Sequence, residues 1–511
     1  MILVTKYGLG LQRNKINCDF LYEKLYGLYW HYFLILLDKT ITMKIFTYLL
    51  SGFLLLTSPG FIVAASPAYS ISVRIKGLSN TKCFLGNYYG DKQYVKDTAK
   101  VDASGKFVFE GKEKLPGGIY LIITPDKKYF EALVTDNQHF SMETDTLDFV
   151  DHMKIKGSED NTLFYSYLNF IAAKSKEIEP LKKALEKAKN SKDSTAMLRK
   201  KMTVIDHDVK EYKIKFMKDH PGTFLAQIFK SSSEPEIPEA PKLANGKTDS
   251  TFAYRYYKAH FFDNIDFSDD RLIRTPIFHN KIEQYIKNLT YQIPDSINVA
   301  ADYLADKAKA SKELFKYVVW YVTNTYETSN IMGMDAVFVH MVEKYYTKEK
   351  AVWLDETQLF KITDRAKKIK PILLGKIAPS IILKDTAGTI HSIYNIKAKY
   401  TVLFFWDPDC GHCQKSIPKL VEFYDKFKSK NVEVVAICTE VEEDKWKKFV
   451  KEKKLPFLNL GDPKLQNNFR YEYDITSTPQ IFLLDHSKAI IAKKLDVEQL
   501  GDFIENYLKI K

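Results

Sequence analysis

The chain has 511 residues, of which 45% are hydrophobic and 27% charged, with a formal net charge of +12. This length excludes a single hydrophobic core, so roughly two to four domains are expected, and the composition fits a globular protein. The positive charge is carried mainly by lysines mixed with Asp and Glu, as in Lys182-Lys183-Ala184-Leu185-Glu186-Lys187, and there is no arginine-rich tract or RNA-reading motif. It therefore reads as solvated surface, with attraction to an anionic membrane face as the rival reading, and no nucleic-acid partner is expected.

Residues 43–65 read as targeting sequence. Met43-Lys44-Ile45-Phe46 opens a basic start, an apolar stretch follows over 48–63, and Val63-Ala64-Ala65 before Ser66 has the small-residue pattern of a signal-peptidase site. Ser51, Gly52, Ser58, Pro59 and Gly60 interrupt the stretch, which argues against a retained membrane helix. No cysteine follows the apolar run to carry a lipid. Residues 43–65 are thus expected to be a signal peptide, with Met43 as the start and 1–42 as a doubtful upstream extension. The rival reading keeps the extension, with an apolar segment over 25–37 that is short for a membrane span. Export from the cytoplasm is expected. Of the five cysteines, Cys18 lies in the extension; Cys83, Cys410, Cys413 and Cys438 remain, too few for a disulfide scaffold.

Residues 66–157 alternate apolar and polar in the manner of strands, over 71–75, 106–110 and 118–123, with the turn Asp102-Ala103-Ser104-Gly105. The spacing predicts a small antiparallel, sandwich-like β domain, with Cys83 as a small buried residue. Residues 158–372 change to helical spacing, over 163–188, 198–218, 275–289, 299–310, 313–325 and 335–346. His220-Pro221-Gly222 stops a helix, and 231–241 is a loop rich in Pro and Glu. Met332, Met334, Val337, Phe338 and Met341 read as core. His207, His220, His260, His279 and His340 are scattered without ligand spacing, so no metal is expected.

Residues 373–511 alternate strand and helix, which predicts an α/β domain. Within it, Cys410-Gly411-His412-Cys413 follows the apolar run 400–406 and opens a segment read as a helix. A C-x-x-C at a helix N-terminus is a dithiol redox site, because the helix N–H groups and dipole stabilise a thiolate on the first sulfur. Structural zinc needs more ligands than the chain supplies here, and haem attachment needs a His where Gln414 stands.

The sequence Phe404-Phe405-Trp406-Asp407-Pro408-Asp409-Cys410-Gly411-His412-Cys413, with Pro418 and then Ser477-Thr478-Pro479, resembles the thioredoxin-like superfamily and, within it, the TlpA/ResA-type envelope thiol-disulfide oxidoreductases. The resemblance covers about the last 135 residues. It implies a thioredoxin-like fold for 373–511, a redox-active Cys410–Cys413 disulfide, a cis-proline at Pro479 beside it, and Trp406 packed next to the pair. The preceding modules resemble uncharacterised ones found before such domains in exported proteins of Gram-negative gut and oral bacteria, which implies the periplasm or cell envelope of a Gram-negative bacterium as the location. One departure stands out: many family members carry an acidic residue three positions after the second cysteine, where this chain has Ser416.

The expected roles follow. Cys410 attacks as the thiolate, because a thiol at about pKa 8.5 is only about 3% ionised at pH 7. Cys413 resolves the mixed disulfide. The helix N-terminus and a protonated His412 push the Cys410 pKa down, while Asp407 and Asp409 push it up. Thr478-Pro479 offers backbone to an extended substrate, and Gly411 and His412 tune the potential. No cofactor is expected. The expected partners are disulfide-containing envelope proteins and a membrane electron donor. The alternative is an envelope binding protein whose N-terminal modules recognise a partner, with the dithiol secondary. A peroxidase reading lacks the P-x-x-x-T-x-x-C context.

Overall fold

A computed structural model describes residues 66–188 and 191–510; the signal-like segment and the extension before it lie outside the described residues. The chain opens with β1 (Tyr69–Lys76), β2 (Lys82–Tyr89), β3 (Lys92–Lys100), β4 (Lys106–Gly111), β5 (Gly118–Ile123), β6 (Tyr129–Val134), β7 (His139–Asp145) and β8 (Lys154–Lys156). They form two four-stranded sheets, β4-β1-β7-β8 and β3-β2-β5-β6. Pairing is antiparallel except between β1 and β7, which run parallel. Period-two burial accounts for β1: Tyr69, Ile71, Val73 and Ile75 are buried while the residues between them face outward. Edge strand β3 is exposed along nearly its whole length, and its polar sequence gives no alternation to read.

The two sheets belong to different compact units. The first unit holds β4-β1-β7-β8, α1 (Glu159–Lys187) and most of α2 (Lys192–Asp219). Ser158 caps α1, its hydroxyl accepting from the Asn161 N–H at 3.2 Å, and Lys174 pairs with Asp208 at 2.8 Å to tie the two helices.

The second unit holds β3-β2-β5-β6 and everything after α2. Its helices are α3 (Phe224–Ser232), α4 (Phe252–His260), α5 (Pro276–Lys287), α6 (Pro294–Ala308), α7 (Lys312–Glu327), α8 (Asp335–Tyr345) and α9 (Glu356–Ile369). Proline sits in the first turn of α5 and α6, where no N–H is needed. Ser311 caps α7, and Asp355 with Gln358 forms a capping box on α9. Their apolar faces close on a core that includes Phe278, Leu304, Val318 and Phe338. Met334, Val337, Phe338 and Met341 lie in that core as expected; Met332 packs instead against the core of the C-terminal domain.

The C-terminal domain runs β9 (Ile382–Asp385), β10 (Ile390–Ser392), β11 (Tyr400–Trp406), α10 (Gly411–Phe427), β12 (Val432–Cys438), α11 (Glu443–Lys453), β13 (Leu458–Gly461), α12 (Phe469–Glu472), β14 (Gln480–Asp485), β15 (Ile490–Lys493) and α13 (Val497–Ile510). Its seven strands are ordered β10-β9-β13-β12-β11-β14-β15. β11, β12 and β13 are mutually parallel; β14 is antiparallel to β11. Every residue of β11 is buried, because apolar side chains pack against both faces of this central strand. Val402, Phe404 and Trp406 enter one apolar cluster, and Leu403 and Phe405 the other. Among the described residues no helix is long and apolar enough to cross a membrane.

Candidate active site

The central strand β11 ends at the buried Trp406, and α10 starts five residues later at Gly411. Cys410 is the N-cap of α10. Its backbone is extended, and its sulfur accepts from the Cys413 N–H at 3.4 Å. A sulfur in that position meets the unpaired donors of the first helical turn. Cys413, one turn along, is fully buried, while Cys410 is partly exposed. Both are free thiols.

The second strand of the site is β14. The Thr478–Pro479 peptide before it is cis, and the Cys410 S–H donates to the Thr478 carbonyl at 3.2 Å. Trp406 is completely buried in the cluster that contains Cys413, and its ring lies 5.1 Å from Phe449. Gly411 and His412 are exposed on the first turn of α10. The structure thus gathers Trp406, Cys410, Gly411, His412, Cys413, Thr478 and Pro479 around one pair of sulfurs.

The two sulfurs differ electrostatically. Partial burial pushes the Cys410 thiol up, but hydrogen bonds from Cys413, from Thr478 and from the His412 N–H outweigh it, leaving Cys410 below the ordinary cysteine value. Burial pushes Cys413 up to about 12; its contact with Cys410 adds to this, and the Asp407 N–H opposes it. The helix start thus favours the Cys410 thiolate as expected, but His412 acts through its backbone N–H rather than its ring. The carboxylates are otherwise engaged. Asp409 pairs with Lys445, which also reaches Glu440 at 2.9 Å, and Asp407 accepts from the Asp409 N–H at 2.8 Å. Carboxylate oxygens of Asp407, Asp409 and Glu440 lie within 4.8 Å of one another, and the Lys445 ammonium compensates them.

Cys438 ends β12, fully buried, and burial pushes its thiol up to about 12; Cys83 on β2 is likewise buried and raised to about 11. Neither presents a thiolate. Lys445 and Arg470, whose guanidinium donates to the Thr439 carbonyl at 2.8 Å, were not singled out from sequence. Single charged residues on a lysine-rich chain carry no local signal.

Residues 374–493 match the AhpC/TSA family, 182–370 a domain of unknown function (DUF5106), and 69–164 another (DUF4369). The thiol-disulfide oxidoreductase ResA of Bacillus thuringiensis subsp. konkukian is 30% identical over 139 residues, which are 27% of this chain and 77% of that protein. Its counterpart in Bacillus subtilis is 29% identical over 136 residues, covering 74% of that protein. Among solved structures, a domain of a possible thiol-disulfide isomerase from Cytophaga hutchinsonii is 44% identical, with 28% of this chain and 99% of that one covered and a TM-score of 0.26. A thioredoxin-like protein from Bacteroides caccae is 22% identical over 54% of this chain and 99% of that one, with a TM-score of 0.42. With a cysteine pair at a helix start beside a cis-proline, and a ResA relative matched over most of its length, the chain belongs to the ResA-type thiol-disulfide oxidoreductases of the thioredoxin-like superfamily.

Proposed function

We propose that this oxidoreductase is exported and reduces or reshuffles disulfides of envelope proteins through Cys410 and Cys413. The observation that carries the reading is the asymmetry of the pair: an accessible sulfur whose ionisation is favoured, next to a buried one held neutral. Only a thiolate attacks a disulfide. The Cys410 thiolate attacks one substrate sulfur, the substrate S–S bond breaks, and the other substrate sulfur leaves as a thiolate. Cys413 then attacks the Cys410 sulfur of the mixed disulfide, releasing the second substrate thiol and leaving an intramolecular disulfide. Two electrons have passed from the dithiol to the substrate.

The geometry supports this order of steps. While Cys410 is a thiolate, its charge and hydrogen bond both help to hold Cys413 protonated. Once the Cys410 sulfur is tied up with substrate, both influences vanish and the Asp407 N–H still favours the anion. Burial, the largest influence on Cys413, stays, so the mixed disulfide eases its ionisation without removing the barrier to it. With Ser416 where many relatives have an acid, the substrate thiolate just released is the base at hand for the Cys413 proton.

Turnover then needs a dithiol donor to reopen the disulfide, and a membrane electron donor fits an exported enzyme. Export rests on the signal pattern of residues 43–65. The test is insulin reduction by dithiothreitol. The wild type accelerates it and Cys410→Ser does not; a wild type no faster than the variant removes the reading. N-terminal sequencing of the mature protein from an envelope fraction is expected to begin at Ser66, and an unprocessed cytoplasmic protein overturns the export part.

A further inference from the structure

Helix α9, which belongs to the helical part of the chain, holds the loop that carries Thr478. On α9, Asp364 accepts from the Tyr471 hydroxyl at 2.8 Å, Lys368 lies 4.5 Å over the Tyr471 ring, and Arg365 reaches Asp474 at 3.4 Å. The other end of the Arg365 guanidinium meets Glu327 of α7 at 2.8 Å. Tyr471 lies in α12, and Asp474 stands four residues before Thr478 with a left-handed backbone, φ 48°. The loop closes on itself beyond that point, since the Gln480 amide donates to the Tyr473 carbonyl at 3.4 Å. Gln480, next to Pro479, lines a cavity of about 60 Å³ together with Arg365 and Asp474. A second contact fixes the far side: Lys494 donates to the Ser329 carbonyl at 2.9 Å, and Met332 of the same α7–α8 connection packs against the cluster that holds Cys413 and takes in Cys410.

We propose that Arg365 is a positioning residue: by bridging Glu327 to Asp474 it fixes the loop whose Thr478 carbonyl receives the Cys410 sulfhydryl, so that the helical region sets the geometry of the dithiol. Both contacts are charge pairings, at 2.8 and 3.4 Å, rather than aligned hydrogen bonds, so the guanidinium acts as a cation held between two carboxylates. The inference rests on the proposed role of Cys410 as attacking sulfur, but its test does not depend on turnover.

The test compares Arg365→Gln with Asp474→Asn in the full chain, reading the pH at which Cys410 becomes half-ionised from iodoacetamide alkylation followed by peptide mass spectrometry. The two changes remove charges of opposite sign. If Arg365 acted only through long-range charge, they would shift Cys410 in opposite directions. If it positions the loop, both shift the midpoint in the same direction, with alkylation at pH 7 changing about threefold for a shift of about half a unit. The double variant then equals either single one, and Arg365→Lys recovers part of the change. Opposite shifts, or no shift in properly folded variants, overturn the proposal. An inactive wild type with the paired shifts intact would instead count against the proposed function alone.

Discussion

Cys410 donates its S–H to the backbone carbonyl of Thr478 across 3.2 Å, although 68 positions separate the two residues. The contact joins the end of the central strand to the start of β14, so the sulfur proposed to attack and the backbone that would receive a substrate lie side by side. The Thr478 side chain contributes separately, as one of the groups that lower the Cys410 thiol. Thr478→Val keeps the shape and removes the hydroxyl. Alkylation of Cys410 at pH 7 is expected to slow by about two- to threefold, with the plateau at high pH unchanged. An unchanged rate would remove the hydroxyl from the account.

The division of labour between the sulfurs has its own signature. In the Cys413→Ser variant the first attack proceeds and the second cannot, so a mixed disulfide through Cys410 is expected to accumulate with insulin chains or envelope proteins. Non-reducing electrophoresis and mass spectrometry read it directly. If adducts formed equally well on Cys413 in a Cys410→Ser variant, the assignment of attacker and resolver would be reversed.

Buried thiols make stability depend on alkaline pH. Cys413 and Cys438 are raised to about 12 in the fold, above the unfolded value of about 8.5, so each favours the neutral form. Their stabilisation is complete below the unfolded value and is lost as pH rises towards the folded one, at about 1.4 kcal/mol per pH unit for each thiol. Reduced Cys438→Ala is therefore expected to lose stability between pH 9 and 11 less steeply than the wild type, by about that slope. Urea unfolding followed by tryptophan fluorescence measures it; parallel slopes would contradict the burial argument.

Lys493 on β15 pairs with Asp335 at the start of α8, with side chains only 4% and 8% exposed, and it also donates to the Ile372 carbonyl at 2.6 Å. Removing one partner leaves a buried charge unpaired. Lys493→Met is expected to destabilise by about 3–5 kcal/mol, and Lys493→Met with Asp335→Leu to recover most of it. Denaturant midpoints compare the three proteins. A single variant within 1 kcal/mol of wild type, taken as the order of a surface pair, would mean that the pair is effectively solvated.

Gly461 ends β13 with the Trp446 ring against it; a Cβ there would sit 2.7 Å from a ring carbon. Gly461→Ala must push the indole of a buried tryptophan, and a loss of about 1–3 kcal/mol is expected in the melting of the C-terminal domain. Trp446→Leu in the same background should restore part of it, by making room.

Much of the site could be read before any fold was known. The run 400–406 gives a buried strand because it is apolar throughout, and Cys410 and Cys413 are one helical turn apart, so a local period places both sulfurs. Helices such as α7 are equally legible from spacing. Strands β2, β3, β6, β7 and β8 were not read from alternation, and β13 and α12, at 4 residues each, are too short to show a period.

Residue order alone carries the chemistry: two thiols at a helix start, a proline before a strand, and a family pattern around them. Which groups surround the sulfurs is set by the packing of distant segments. It paired Asp409 with Lys445 rather than setting it against Cys410, and it brought Arg365 to Asp474 across 109 positions (474 minus 365). The reason is physical. Local spacing fixes which residues share a helical turn, whereas the ionisation of a thiol depends on donors, charges and buried surface within a few ångströms, and those are supplied by segments far apart along the chain.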